Sequence, residues 1–346
     1  MATSRQETKD IVAEEELPAG HPLRAATPEF LDRNRGFVSS FAFFILMILV
    51  FIIANSRVFL NPATYTAVFV SLPIYTMLAV ASVFVVVAGE IDLAFPSIVG
   101  VCAFVFAEVV NAGISPFIGF VLSVLIGLAV GLVNGMLVAY VGLSSLVATL
   151  GMQFLLRGMI QVLSGGNGIT LSQLNGTFFY NLFVGSVGGL PVQMLWGIAF
   201  AALAVFLFNR HRFGARVRCV GDNLEAAREM GIDVRKVKVA TFMFVGLASA
   251  LAGVLAILIN VSFWPTVGDG YLLIVLAAVF IGGTPTWGGV GTIAGAVCGA
   301  FTVGFIESGI VAAGLTGFYT QLFEGFVIIL SLVAHRLNRP RYYRGV

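Results

Sequence analysis

Two carboxylates, Glu90 and Asp92, interrupt an apolar run at Ala88-Gly89-Glu90-Ile91-Asp92-Leu93-Ala94-Phe95-Pro96. Acids beside apolar helices are costly unless they reach water, a partner or a helix N-terminus. They can shape a solute path. Asp92 can alternatively cap the helix that begins near Leu93. Arg157, in Leu155-Leu156-Arg157-Gly158-Met159, stands alone in a long apolar stretch. It can snorkel to an interface, pair with an acid or hold a ligand. Glu108, Glu307 and Glu324 lie within or near apolar segments, with no nameable partner and no second titratable group at helical spacing to make a proton relay. Asn134, in Gly131-Leu132-Val133-Asn134-Gly135, suits hydrogen bonding between helices. None of this is bond chemistry. The chain has no Gly-x-x-x-x-Gly-Lys-Ser/Thr, no metal-ligand spacing and no nucleophile–base pair. No catalytic residue, metal or cofactor is therefore expected on it. Uphill movement of a solute would draw on a gradient or on another chain.

The elements that position these residues are membrane helices. The chain is 59% hydrophobic and 10% charged, against about 25% charged in soluble domains. Its mean hydropathy is +1.00. Apolar segments run at about 37–54, 66–88, 93–111, 115–139, 143–163, 190–208, 239–260, 271–283, 289–312 and 317–335. That predicts an all-α integral membrane protein of about ten transmembrane helices, with a transmembrane domain over 37–335. The 40 glycines suit close helix packing in lipid. A net charge of +2 gives no case for nucleic acid. The leader, 1–36, is polar and acidic and is expected to be a disordered cytoplasmic segment. Cys102, Cys219 and Cys298 form no motif.

Charge fixes the sides. Five Lys/Arg precede the first span (Arg5, Lys9, Arg24, Arg33, Arg35), eight fall between Arg210 and Lys238, and four follow the last span (Arg336, Arg339, Arg341, Arg344). By the positive-inside rule all three segments, including the tail 336–346, are cytoplasmic. Six spans precede the 209–238 loop and four follow it, both even numbers, which agrees. The loop 164–189 and Ser56–Pro62 are then external, as is the turn Phe263-Trp264-Pro265-Thr266-Val267-Gly268-Asp269-Gly270-Tyr271.

A second interruption, Gly282-Gly283-Thr284-Pro285-Thr286-Trp287-Gly288-Gly289, lies 193 residues after the first. Paired Gly/Pro-broken helices in corresponding halves predict two pseudo-repeats, with solute passing where the helices break. The candidate path residues are Glu90, Asp92, Phe95, Asn134, Trp264, Tyr271, Thr284 and Trp287. The island 209–238 is different in kind. It carries eight basic and four acidic residues around Gly221-Asp222-Asn223-Leu224-Glu225-Ala226-Ala227-Arg228-Glu229-Met230-Gly231-Ile232. One mixed-charge, helix-forming loop in so apolar a chain reads as a docking site for a partner.

These residues resemble the permease subunit of ribose-type ABC importers, over about Phe37–Ala334. Gly89-Glu90-Ile91-Asp92-Leu93 is similar to that family's Gly-Gly-Ile-Asp-Leu, and Thr149-Leu150-Gly151 with Arg157-Gly158 to its Thr-Leu-Gly and Arg-Gly. The island, with Gly221, Asn223, Ala226, Ala227 and Gly231-Ile232, is similar too. So is Gly268-x-Gly270-Tyr271 with Ala277-Ala278-Val279 and Gly282-Gly283-Thr284. The resemblance implies a permease dimer in the bacterial inner membrane, a cytoplasmic ATPase pair that uses ATP and Mg, and a periplasmic sugar-binding protein. The island becomes the coupling helix, with Asn223, Glu225, Ala226, Ala227, Arg228 and Gly231 in the docking motif. Small alanines would seat that helix in the partner's groove. The chain departs from the pattern at Glu90 (for Gly), Phe95-Pro96-Ser97 (for Ser-x-Gly), Leu272 (for Glu) and the bulky Pro285-Thr286-Trp287. All four lie where solute would pass, so a pentose other than ribose, a hexose or a sugar alcohol fits as well. Permeases for branched-chain amino acids or nucleosides are the nearer alternatives. A stand-alone H⁺- or Na⁺-coupled transporter using Glu90, Asp92 or Glu307 is the rival from another class.

Overall fold

The computed structural model describes residues 35–312 and 317–337. The expectations for the leader and for Arg339, Arg341 and Arg344 lie outside those residues. In chain order the helices are α1 (Arg35–Ala54), α2 (Ser56–Phe59), α3 (Pro62–Val87), α4 (Phe95–Asn111) and α5 (Pro116–Met136), the last widened into a π-type turn at Leu137–Val141. Then come α6 (Ser145–Ser164), α7 (Phe178–Val184), α8 (Val192–Asn209), α9 (Arg212–Asp222), α10 (Leu224–Glu229) and α11 (Val234–Asn260). The last are α12 (Tyr271–Ile281), α13 (Ile293–Ala312) and α14 (Gly317–Leu337). Among the described residues seven helices are long and apolar enough to cross a membrane, and α4, α12 and α14 are shorter apolar helices. Those ten segments coincide with the ten read from hydropathy. The strands are two-residue pairs, Ile169–Thr170 with Ser262–Phe263 and Ser186–Val187 with Leu190–Pro191.

The helices sort into an inner and an outer set. The most apolar stretch of α3 is 83% buried and that of α11 72%, against 11% for α1 and 22% for α5 and α6. Helices in lipid gain little from apolar burial and associate where small residues let backbones approach. Here Gly127, Gly131 and Gly135 form that stripe on α5. A Cβ at Gly131 would stand 2.5 Å from the Phe242 carbonyl of α11, and one at Gly135 2.7 Å from the Val239 Cα. Asn134 sits beside this stripe, fully buried, and its amide makes no hydrogen bond; the expected interhelical bond does not form.

The two predicted interruptions are loops at helix ends, 88–94 and 282–292, and the fold brings them face to face. The Gly289 amide donates to the Val87 carbonyl at 2.8 Å. A Cβ on Gly288 would lie 3.1 Å from the Gly89 Cα, and both residues hold φ near +83°, where side chains are strained.

The deep break lies elsewhere. The segment Phe263–Tyr271, expected as an external turn, packs into the bundle together with residues 261 and 262. Phe263 and Val267 are buried, and Gly268 packs on the Pro96 carbonyl at the start of α4. From there α12 runs for only 11 residues, about 16 Å at 1.5 Å per residue, or half of a hydrocarbon core of about 30 Å. Its first residue, Tyr271, meets the ring of Tyr75, midway along α3, edge-on at 5.2 Å. The span count and the positive-inside rule placed Phe263–Tyr271 at the external end of α11 and gave no sign of its depth. The structure satisfies that irregular backbone inside protein instead.

Candidate functional site

The island folds into α9, α10 and the start of α11. Asn223 caps α10 as its residue type suggests: its Oδ1 accepts from the Glu225 and Ala226 amides, each at 3.0 Å. Gly231 ends the turn in the left-handed region at φ 74°. Its amide donates to the Arg228 carbonyl at 2.9 Å, and that of Ile232 to Ala227 at 3.0 Å. Asp233 then caps α11, accepting from the Lys236 amide at 3.1 Å. That backbone bond, followed by the Lys236 ammonium, holds the Asp233 carboxyl below its ordinary value. The expectation about the alanines is corrected here. Ala227 is fully buried against the chain's own body and Ala226 is half-buried, so they seat α10 on this chain. Glu225, Arg228, Glu229 and Met230 are the residues that project.

Behind α10 the island is wedged into both loops. Gly221 has no room for a side chain: an added Cβ would collide with the Val87 carbonyl and stand 2.6 Å from the Gly289 amide nitrogen. Glu90 forms an ion pair with Lys238 on the second turn of α11, both side chains mostly buried. The pair borders a cleft of about 810 Å³ that Gly89, Tyr140, Ser144, Arg228, Arg235 and Thr286 also line. Lys238 was read only as part of the island's charge. Its separation of 148 residues from Glu90 gave no sign of the pairing.

The first loop is braced from α6. The Ile91 amide donates to the Ser145 hydroxyl at 3.2 Å, and the Leu93 amide to the Thr149 hydroxyl at 2.9 Å. That is the job of Thr149 in Thr149-Leu150-Gly151. Asp92 accepts from the Ala94 amide at 2.7 Å and is buried, with its second carboxylate oxygen unpartnered. Phe95 is wholly inside the core and Thr284 is buried in the second loop, where Trp287 is half-buried. The structure thus gathers Glu90, Asp92, Thr284 and Trp287 into the two facing loops beside the island.

Trp264 and Tyr271 belong to the deep break. Arg157 fastens it: its guanidinium donates to the carbonyls of Pro265 at 2.7 Å and Val267 at 3.0 Å and pairs with Asp269 at 2.7 Å. The Arg157–acid pairing anticipated from sequence therefore forms.

A second polar assembly stands on the far side from the island. Thr64, Ala67, Ser71 and Tyr75 follow one face of α3 and meet Gly304, Glu307, Ser308 and Val311 of α13 across a crevice of about 390 Å³. Glu324 of α14 and Tyr271 lie within electrostatic reach of Tyr75 and Glu307. Glu324 is 4% exposed, with one carboxylate oxygen buried and unpartnered. Among the described residues no cation pairs with Glu307 or Glu324. Sequence reading noted both acids without connecting them. Tyr75 drew no notice at all, being one aromatic in an apolar helix.

The family described as the branched-chain amino acid transport system permease component matches residues 64–332. The D-allose transport system permease protein of Escherichia coli (strain K12) is 31% identical over 298 residues, covering 85% of this chain and 90% of the relative. The ribose import permease protein of the same strain is 31% identical over 259 residues, 74% of this chain and 80% of the relative. The autoinducer 2 import system permease protein of Photorhabdus luminescens is 30% identical over 311 residues, 88% and 91% of the two chains. With its ten apolar segments and its two loops locked to one charged island, this chain is a multi-pass membrane protein that belongs to the ABC importer permease family, as a non-catalytic transport subunit.

Proposed function

We propose that this chain is the permease through which a monosaccharide, pentose or hexose, or a sugar alcohol is imported across the bacterial inner membrane by alternating access. It works as one of two copies, with the 209–238 island and both termini in the cytoplasm. A separate ATPase pair binds ATP and Mg and docks on α10. A periplasmic sugar-binding protein delivers the solute on the opposite side. The sugar class is supported by the allose, ribose and autoinducer 2 import permeases to which the chain is similar.

The observation that carries the coupling is the seat of Gly221. Its backbone packs directly against the bonded Val87 carbonyl and Gly289 amide, so a shift of α9 and α10 displaces the end of α3 and the loop after α12. A push on α10 reaches the deep break through α12, which joins the second loop to Tyr271.

The test is affinity capture of the tagged chain from native membranes in mild detergent, with assay for ATPase activity and uptake of labelled sugars by the reconstituted complex. A stoichiometric P-loop ATPase and sugar uptake that needs ATP are expected. The double variant Glu225→Arg with Met230→Asp changes two projecting residues. It should insert normally yet lose ATPase binding by at least about tenfold, as loss of anchoring residues at a protein interface does. Unchanged ATPase binding by that variant sinks the docking assignment. Uptake driven by a proton or sodium gradient without ATPase sinks the ABC reading. ATP-driven uptake of leucine or a nucleoside but no sugar moves the assignment to those alternatives.

A further inference from the structure

We infer that the crevice between the outer halves of α3 and α13 is where the solute touches this chain, with Glu307 and Tyr75 as its polar contacts. The inference deepens the sugar-importer reading and rests on it for the identity of the ligand.

Three observations carry it. The first is composition. The crevice face of α3 presents Thr64, Ala67 and Ser71, the last two exposed, and opposite them stand Glu307 and Ser308, half-exposed. Much of the exposed helix surface elsewhere is apolar, as at Leu125, Val147, Phe154 and Ile329. Lipid-facing positions do not carry a glutamate with serines around it; an ionisable residue at membrane depth lines a water-filled path or faces protein. The second is the floor. Tyr75 closes the crevice halfway along α3, and its ring abuts that of Tyr271 at the deep break. The crevice therefore ends where the helix α11–α12 is interrupted, the place a solute reaches if it enters from outside. The third is the unpartnered, buried carboxylate oxygen of Glu324, within electrostatic reach of Tyr75 and Glu307 and paired with no cation among the described residues.

The chemistry fits a polyol. A carboxylate accepts two hydroxyl hydrogens at once, so Glu307 can hold neighbouring hydroxyls. The Tyr75 hydroxyl can donate or accept, and the paired rings of Tyr75 and Tyr271 offer apolar faces to sugar C–H groups. The volume of about 390 Å³ is within the range of small-molecule sites, about 300–1,000 Å³. Cargo that must leave again needs few contacts, and this crevice has few.

The test has two arms. In intact cells, Ser71→Cys and Ser308→Cys are treated with a membrane-impermeant cationic thiol reagent, with Leu125→Cys on the apolar surface as the control. Labelling of both crevice positions but not of the control is expected; this arm needs no solute. Failure of the crevice positions to label, with the proteins present in the membrane, overturns the crevice as a path. The second arm measures uptake of D-ribose and D-allose by the reconstituted permease–ATPase–binding-protein complex. Glu307→Gln and Tyr75→Phe should each cut uptake about tenfold while ATPase docking, measured by co-purification, stays unchanged. Uptake at the unaltered level in both variants overturns the assignment of Glu307 and Tyr75. If the unaltered complex carries neither sugar, D-ribose and D-allose are excluded as its solutes, and labelling alone decides the crevice.

Discussion

The two ends of α3 are built on opposite principles. At the island end the Val87 carbonyl takes the Gly289 amide, and Gly221 fills what is left, with no room for a single added carbon. At the other end Thr64, Ala67 and Ser71 look across open space at Glu307 and Ser308. One end transmits displacement because it has no slack. The other can change shape because little fills it. An alternating-access permease needs both: a stiff place to receive work and a yielding place to hold cargo.

The sharpest way to break this contrast is to add volume at each end. Gly221→Val forces carbons into the Val87 carbonyl and the Gly289 amide, and overpacking of this kind costs about 1–3 kcal/mol or more. Thermal unfolding in detergent should register the loss, and ATPase stimulation by the binding protein should vanish. Ser71→Val adds similar volume to the crevice, and stability should change by less than about 0.5 kcal/mol. Equal destabilisation at the two sites would show that the ends do not differ as described.

The middle of the contrast is the deep break. Arg157→Gln removes the guanidinium that accounts for two carbonyl bonds and an ion pair, and should cost about 1–3 kcal/mol, the range for hydrogen bonds to a charged group. Asp269→Asn removes only the ion pair, whose acid is 55% exposed, and should cost under about 1 kcal/mol. Hydrogen exchange over 261–270 is the readout, with protection lost in the first variant and nearly kept in the second. If Asp269→Asn opens the segment as fully as Arg157→Gln does, the ion pair and not the carbonyl bonds holds it.

What the sequence made legible follows from what is local. Ten apolar stretches and an island of charge are written in consecutive residues, and each forms as read; the Asn223 cap and the Gly231 stop are equally local. Asp92 was open to a capping role, but Ala94 holds the cap position and no side chain caps that helix; Asp92 accepts only the Ala94 amide before it. What was not legible is what only tertiary structure brings together. No spacing rule joins Gly89 to Gly288, Glu90 to Lys238, or Tyr75 to Glu307 and Glu324. The span count also misjudges depth. It puts Phe263–Tyr271 in an external turn and cannot see that Arg157 is waiting inside to bond its carbonyls. The same blindness put Ala227 on the partner's side, because a small residue suits a groove in either protein.

The Glu90–Lys238 pair sharpens the contrast at the island end, where it ties the first loop to α11 electrostatically. Glu90 stands where the resembling family has glycine, so this chain carries a charge that the shared loop geometry does not require. Lys238 offsets it, and both side chains keep some solvent, 17% and 14%. Screening therefore limits the pair to about 1 kcal/mol of coupling. Glu90→Gln and Lys238→Met should each cost somewhat more than this, since each leaves a partly buried charge alone. The double variant should recover part of the loss, which is what a double-mutant cycle on thermal stability measures. Glu90→Gly is the discriminating change. Gly89 already supplies the left-handed turn and Ile91 the bond to Ser145, so the loop should keep its shape without the acid. Provided Lys238→Met accompanies Glu90→Gly, transport should survive with stability lower by no more than about 1 kcal/mol. Loss of transport from that double variant, with folding intact, would mean that the ion pair itself moves during the cycle, and that the island end is less rigid than its packing makes it.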